Sequence, residues 1–175
     1  MREPVIRTAI QADAPALADL ARQTFIDTFV TGFRIPYPAD DLKAFLDASF
    51  SRETIHTKLT EHRAAWWVAE RDEKLLAFAN AGPNTLPHPE GKPSHAELRR
   101  LYVDRSAQGL GLGTTLLNVA LEWMQQNTDG PLWIGVWSGN LKARKLYAAH
   151  GFHQAGEYQY PVEAWLDDEI ILRRG

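Results

Sequence analysis

The sequence predicts an α/β fold, in which a mixed β-sheet carries helices on its faces. Apolar segments of strand-like composition alternate along the chain with segments whose apolar residues keep helical spacing. The 175 residues hold no internal repeat and no segment with the composition of a linker, so we expect one domain over residues 1–175. Hydrophobic residues make up 45% of the chain and charged residues 23%, which is typical of a globular protein and not of a disordered one.

The N-terminal third predicts a short strand followed by three helical pieces. The signals are helix-capping side chains that precede apolar residues at helical spacing, and an irregular segment with two prolines. The predicted elements are a strand over 5–7, a helix that opens at Asp13 and keeps its apolar face to Phe29, an irregular segment over 32–38, a helix capped by Asp40 or Asp41, and a short helix from Ser51.

The remainder predicts most of the sheet. Two apolar runs joined by four charged residues indicate an antiparallel hairpin, and the segment after it has four prolines and one glycine in twelve residues, which is typical of a long loop. The predicted elements are strands over 65–70 and 75–81, a loop over 83–94, a strand over 97–103, a helix over 111–127, a strand over 132–137, a helix over 140–150, and two strands within 152–160 and 169–173.

Composition excludes several classes of function. With no cysteine, the chain has no disulfide framework, thiolate metal site, iron–sulfur cluster or cysteine nucleophile. A net charge of −3 lacks the basic footprint of a phosphate-backbone binder, so we expect no nucleic-acid partner. His56 and His62 do not have the spacing that places two ligands on one helical face, so we expect no metal site.

The apolar segments also bear on location. Residues 1–10 lack the apolar core of a signal peptide, and the longest apolar stretches fall short of the roughly 18 residues that span a bilayer. We therefore expect a cytoplasmic protein with no membrane partner.

The clearest signal for a ligand site is a glycine-rich turn between the strand over 97–103 and the helix over 111–127. Glycines at alternate positions let backbone N–H groups converge on one point, where the helix N-terminus adds about half a positive charge, so a phosphate fits there. A flexible loop in which glycine only ends the strand is the alternative. The turn consists of Gln108, Gly109, Leu110, Gly111, Leu112, Gly113 and Thr114.

Two nucleotide-binding motifs fit this turn poorly. A dinucleotide fingerprint requires glycine or alanine where Thr114 stands, and a P-loop requires a lysine that the turn does not contain. A nucleotide-dependent oxidoreductase is therefore disfavoured.

The turn and a second motif resemble the GNAT superfamily of acetyl-coenzyme-A-dependent N-acetyltransferases. Gln108-x-x-Gly111-x-Gly113 is similar to the pyrophosphate-binding motif of that family. Asn140-x-x-Ala143-x-x-x-Tyr147-x-x-x-Gly151-Phe152 is similar to its next motif, one strand later. The resemblance covers the chain from about Trp66 onward, and it implies a mostly antiparallel sheet of about seven strands that splays at its middle.

The resemblance also implies a cosubstrate and an acceptor. Acetyl coenzyme A would lie with its acetyl and pantetheine amides on the strand backbone of Leu101, Tyr102 and Val103, its pyrophosphate on the turn 108–114, and Asn140 and Ala143 beside it. Asn140 is equally expected as a plain helix cap, and the two roles are compatible. The acceptor would be the primary amine of a small molecule.

The region of Asp40, Asp41 and Phe45 and the strand over 97–103 are similar to the bacterial branch of the spermidine/spermine acetyltransferase PaiA, which makes a polyamine one candidate acceptor. The alternatives are a protein or peptide amine as the acceptor, and a non-catalytic sensor that binds acyl coenzyme A. The sequence does not determine the oligomeric state, for which a homodimer is one candidate.

Two residues are candidates for proton transfer. The resemblance places the Tyr147 hydroxyl beside the cofactor sulfur, and a phenol with a pKa near 10 can protonate a thiolate when positioned for it. Its alternative is a core aromatic residue. The resemblance makes Glu97 a base that acts through water, and its alternative is an ion pair with Arg99 or Arg100. Strand alternation predicts that Glu97 shares a face with Arg99, Leu101 and Val103.

One short acidic run stays ambiguous. Asp167, Asp168 and Glu169 are expected in a charged turn before the last strand, and attraction of a cationic substrate is the alternative.

Overall fold

The structure, a computed structural model, describes residues 2–175 and contains one seven-stranded sheet. Its helices lie on both faces of the sheet, so the predicted fold class is confirmed. The strands are β1 (Val5–Thr8), β2 (Ala65–Arg71), β3 (Lys74–Pro83), β4 (Ala96–Val103), β5 (Leu132–Trp137), β6 (His153–Val162) and β7 (Trp165–Arg174). The helices are α1 (Ala14–Phe25), α2 (Ala39–Phe50), α3 (Arg52–Lys58), α4 (Leu112–Gln126) and α5 (Leu141–Ala149).

The strand order is β1-β2-β3-β4-β5-β7-β6, and only the central pair β4 and β5 is parallel. That pair is joined over three positions, from Ala96 opposite Leu132 to Leu98 opposite Ile134. Beyond Leu98 the two strands diverge, which confirms the predicted splay. On the side that faces β5, the backbone of the second half of β4 therefore has no strand partner.

A β-bulge changes the face on which Glu97 lies. In the pairing of β3 with β4, Asn80 stands opposite Arg100 and Ala81 opposite Leu98, so Arg99 is an extra residue. Leu98 and Leu101 consequently both pack in the core under α4, although three positions separate them. The predicted alternation is wrong: Glu97 lies on the face opposite to Leu101 and Val103, and the bulge is the reason.

The two largest of three apolar cores lie on opposite faces of the sheet. The first packs α4 and α5 against one face through residues such as Leu117, Ile134 and Tyr147. The second packs α1, α2 and α3 against the other face around Phe25, Phe50 and Phe78. Among residues 2–175, no helix has the length and apolar character that a membrane crossing requires.

The element boundaries differ from the prediction at three places. The helix predicted to reach Phe29 ends as an α-helix at Phe25 and continues as a π-helix over Ile26–Gly32, with the N–H of Phe33 donating to the carbonyl oxygen of Thr28. The second helix begins at Ala39 after Pro38, so Asp40 and Asp41 lie inside its first turn instead of capping it.

The third difference concerns the last hairpin. β6 and β7 are ten residues each, so Asp167, Asp168 and Glu169 lie within β7, and the predicted charged turn is wrong. β7 pairs with β6 over residues 165–173 and with β5 over residues 169–174, and these backbone hydrogen bonds keep the acidic residues in the strand. The local composition, which favours a turn, does not indicate this pairing.

Candidate active site

Two cavities meet where β4 and β5 diverge. One, of about 700 Å³, lies between the end of β4, the turn before α4 and the start of α5; we name it the turn cleft. The other, of about 470 Å³, lies between the sheet and the helices α1 and α3; we name it the inner cavity. Both are lined by the same five residues at their junction: Leu101, Tyr102, Asn140, Ala143 and Tyr147.

The turn before α4 has the backbone that its glycines predict. Gly109 and Gly111 have φ angles of +82° and +76°, a conformation that other residues rarely adopt. A Cβ atom built at either position would meet nothing within 4 Å, so the space beside them is open. The free N–H groups at the start of the 15-residue helix α4 border this space, which suits a phosphate.

Twelve of the thirteen residues predicted to bind cofactor line the turn cleft. Leu110 does not line it, and its side chain is 52% exposed. The Oδ1 of Asn140 accepts a hydrogen bond from the N–H of Ala143 at 3.1 Å, so Asn140 caps α5 while it borders the cleft. The lining residues are Leu101, Tyr102, Val103, Gln108, Gly109, Gly111, Leu112, Gly113, Thr114, Asn140, Ala143 and Tyr147.

Sequence reasoning missed part of this lining. The π-helix brings a third wall to the cleft, and two cations flank the glycine turn and the cap of α5. The cations stand next to the motifs, which could have indicated them, whereas nothing local indicates the π-helix. These residues are Asp27, Thr28, Thr31, Gly32, Phe33, Arg105 and Lys142.

Tyr147 lies between the two cavities. Its ring meets Phe152 edge to face at 6.4 Å, and the residue is only 7% exposed. Burial raises the pKa of its hydroxyl above the ordinary value, so the group stays protonated at neutral pH. The core-aromatic alternative is therefore compatible with the predicted proton-donor role, which stays a prediction.

Glu97 lines the inner cavity and is 6% exposed. Its Oε2 accepts hydrogen bonds from the backbone N–H of Thr85 at 2.7 Å and from the Thr85 hydroxyl at 2.9 Å. Burial raises the pKa of the Glu97 carboxyl, and the Thr85 bonds oppose that shift. Glu97 forms no salt bridge among residues 2–175, and Arg99 pairs instead with Glu61 at 3.1 Å. The charges of Arg99 and Arg100 still oppose the rise in the pKa of Glu97, and its role as a base stays a prediction.

Two carboxylates that were expected in a charged turn lie on β7 and line the inner cavity. The Tyr158 hydroxyl donates to Oε2 of Glu169 at 2.5 Å, and burial raises the pKa of Glu169 to about 7. Asp167 is 5% exposed and accepts from the Tyr37 hydroxyl at 2.6 Å and from Nε1 of Trp165 at 2.9 Å. The two acids stand at alternate positions of one strand and therefore share a face of the sheet. That relation could be inferred only after β7 was known to include both residues.

Cations also line the inner cavity, where the end of α3 meets the bulge in β4; we name this part of the cavity the basic end. Lys58, from the end of α3, and Arg99 and Arg100, from the bulge in β4, line it. The Arg100 guanidinium lies 4.5 Å from the centre of the Phe50 ring. The inner cavity is thus lined by both carboxylates and cations, and the charge of Arg100 acts on both Glu97 and Glu169.

Comparison with known proteins gives the family. Residues 22–152 match the model of the acetyltransferase (GNAT) family. An uncharacterized N-acetyltransferase in the pepI 3' region of Lactobacillus delbrueckii subsp. lactis is 24% identical over 164 residues, which cover 94% of this chain and 92% of that protein.

Solved structures give the same fold. The PaiA N-acetyltransferase from Thermoplasma acidophilum, solved in complex with coenzyme A, superposes with a TM-score of 0.78 at 18% identity and covers 99% of each chain. A ribosomal-protein-alanine N-acetyltransferase from Brucella melitensis gives a TM-score of 0.66 at 23% identity, covering 97% of this chain and 98% of that one. The chain belongs to the GNAT family and is an N-acetyltransferase whose cosubstrate is acetyl coenzyme A.

Proposed function

We propose that the protein transfers the acetyl group of acetyl coenzyme A directly to the primary amine of a small molecule, without an acyl-enzyme. The observation that carries this proposal is the junction of the turn cleft and the inner cavity at Tyr147, with Glu97 buried in the inner cavity. A thioester held in one cavity and an amine held in the other would meet at that junction.

The second half of β4 supports the proposed cosubstrate position. From Arg99 to Val103 the edge that faces β5 has no strand partner, because β5 pairs only with residues 96–98. An extended arm with alternating amides can pair with such an edge as another strand would. The glycine turn at the end of that path suits the pyrophosphate.

The reaction needs two proton transfers, and the site has a group for each. An aliphatic amine is neutral in about one molecule in 2,500 at pH 7, which costs about 4.6 kcal/mol before attack. In the proposed reaction Glu97 takes the amine proton through water as the nitrogen bonds to the acetyl carbon. Tyr147 gives its proton to the sulfur as the carbon–sulfur bond breaks.

The volume of the inner cavity, about 470 Å³, and its aromatic lining favour a small acceptor over a protein tail. Aromatic residues from α1, from the π-helix and from β6 line it, including Phe25, Phe29 and Tyr160. Its carboxylates would attract an amine, which is the argument for a polyamine as candidate. The presence of Tyr147 and Glu97, both buried in the lining of the inner cavity, argues against a sensor that binds acyl coenzyme A without turnover.

The test follows free thiol while acetyl coenzyme A is mixed with the protein and a panel of amines. We expect thiol release above the amine-free rate with at least one small primary amine. Binding of coenzyme A without thiol release across polyamines, amino acids, aminoglycosides and peptides would indicate the sensor.

A further inference from the structure

The basic end of the inner cavity has donors that no residue of the described chain uses. Lys58 and Arg100 take part in no salt bridge among residues 2–175, and the buried Nε of Arg99 has no hydrogen-bond partner. Arg99 is otherwise held by Glu61 and by the carbonyl oxygen of Pro83. The Lys58 ammonium and the Arg100 guanidinium are therefore close enough to repel each other, and neither has a salt-bridge partner among residues 2–175.

Placing these cations together is unfavourable unless an anion joins them. Burial, together with the charge of Arg100, lowers the pKa of Lys58 below its usual range. The acids of the cavity act on these cations only at longer range, because none of them forms a salt bridge with Lys58 or Arg100 among residues 2–175. Glu61 is paired with Arg99, while Thr85 and Tyr158 donate the hydrogen bonds that Glu97 and Glu169 accept. An anion at this end would relieve the repulsion.

The carboxylates and the cations of the cavity suit the two charged groups of one molecule. Carboxylates bind an amine, and a guanidinium offers a carboxylate two parallel hydrogen bonds. We infer that the acceptor is an amino carboxylate, an amino-acid-like molecule whose carboxylate is held by Lys58 and Arg100 while its amine faces Glu97. This inference rests on the proposed function, since it assumes that the acceptor occupies the inner cavity, and it disfavours a polyamine, whose far end is a second cation.

The experiment compares acceptors that differ only in the carboxylate. The pairs are lysine against cadaverine and phenylalanine against 2-phenylethylamine, with spermidine as the polyamine, and thiol release gives kcat/KM for each. We expect the carboxylate to raise kcat/KM at least tenfold within a pair, the size of one charge-assisted hydrogen bond. Equal or higher values for cadaverine, 2-phenylethylamine or spermidine would overturn the inference.

Variants of the basic end test whether Lys58 and Arg100 cause the preference for acceptors with a carboxylate. Arg100→Gln and Lys58→Met should each lower kcat/KM for the amino acids about 10- to 100-fold, and that for the matched amines less than threefold. Lys43→Met removes a charge from the exposed side of α2, where Lys43 pairs with Asp47, and should leave every ratio unchanged. Loss of activity toward both members of each pair in the two cavity variants would contradict a carboxylate site.

A binding measurement separates this inference from the proposed reaction. Calorimetry on the complex with coenzyme A gives acceptor affinity without turnover. Tighter binding of lysine than of cadaverine, abolished by Arg100→Gln, would support the carboxylate site even if no thiol were released, and that result would contradict only the proposed transfer. Equal affinities would overturn the carboxylate site alone.

Discussion

The turn cleft and the inner cavity are neighbours, but they are built in different ways. Two short stretches of chain, 101–114 and 140–147, form most of the turn cleft. The inner cavity takes Lys58 from α3, Glu97 from β4, Tyr158 from β6 and Glu169 from β7, residues up to 111 positions apart in the sequence.

The difference shows which half of the site can be recognised from local sequence. A phosphate is held mostly by backbone N–H groups, so the glycines that shape one turn are enough to indicate it. An acceptor is held by side chains whose meeting depends on strand order and on one bulge. Variants in the two cavities should therefore fail in different ways.

The largest effect is expected at the residue that both cavities share. Tyr147→Phe removes the hydroxyl but keeps the ring against Phe152. We expect kcat to fall about 10- to 1,000-fold because the sulfur loses its proton donor, with coenzyme A affinity nearly unchanged. Calorimetry and thiol release measure the two quantities. Unchanged turnover would remove Tyr147 from the chemistry.

A variant confined to the inner cavity should show a pH-dependent loss. Glu97→Gln keeps an oxygen to accept from Thr85 but has no base. We expect a loss of about 10- to 100-fold near neutral pH that shrinks as pH rises, because the amine then deprotonates without help. The loss also shrinks at low pH, where the raised pKa leaves Glu97 protonated.

The control for that profile is Glu157→Gln, which removes a carboxylate from the exposed face of β6. It should match the unmodified protein at every pH. A constant loss for Glu97→Gln from pH 6 to pH 10 would mean that Glu97 only supports the structure.

A variant of the turn cleft should change affinity instead of proton transfer. Gly111→Ala strains a φ of +76° and should weaken coenzyme A binding about tenfold, while costing about 1 kcal/mol of stability. Gly151→Ala strains a similar φ of +87° at the far end of α5. It should show the stability loss with unchanged affinity, measured by denaturant unfolding and calorimetry. Equal affinity losses would mean that the turn does not hold the cofactor.

The smallest effect concerns stability. Glu169 has its pKa raised from 4.5 to about 7 on folding, so its contribution to stability is full below pH 4.5 and is lost as pH rises to about 7. Glu169→Gln should therefore be more stable than the unmodified protein above pH 7, by about 1–3 kcal/mol, and equal to it near pH 4. Urea unfolding at both pH values measures the difference.

The matched control is Glu122→Gln on the exposed face of α4, which should change stability by less than about 0.5 kcal/mol at either pH. A gain for Glu169→Gln that does not depend on pH would show that the carboxylate carries no buried charge in the inner cavity.

Much of the fold was predictable because its elements have strong local signals. All seven strands and the order of the helices follow from apolar periodicity, and the two GNAT motifs locate the turn cleft. The predicted face of Glu97 was wrong because the extra residue Arg99 shifts the alternation of β4. The turn predicted at Asp167 was wrong because pairing with β6 extends β7 through that residue. The assignment of residues 1–175 to one domain, a cytoplasmic location and a homodimer stay predictions.

The layered fold and the glycine turn could be predicted from the amino-acid sequence alone, because periodicity and backbone freedom are properties of consecutive residues, and two motifs carried the resemblance to the family. That Glu97 and Glu169 share one cavity with cations from α3 and β4 was evident only from the folded chain, because contacts between distant segments depend on strand order and bulges that no local pattern encodes.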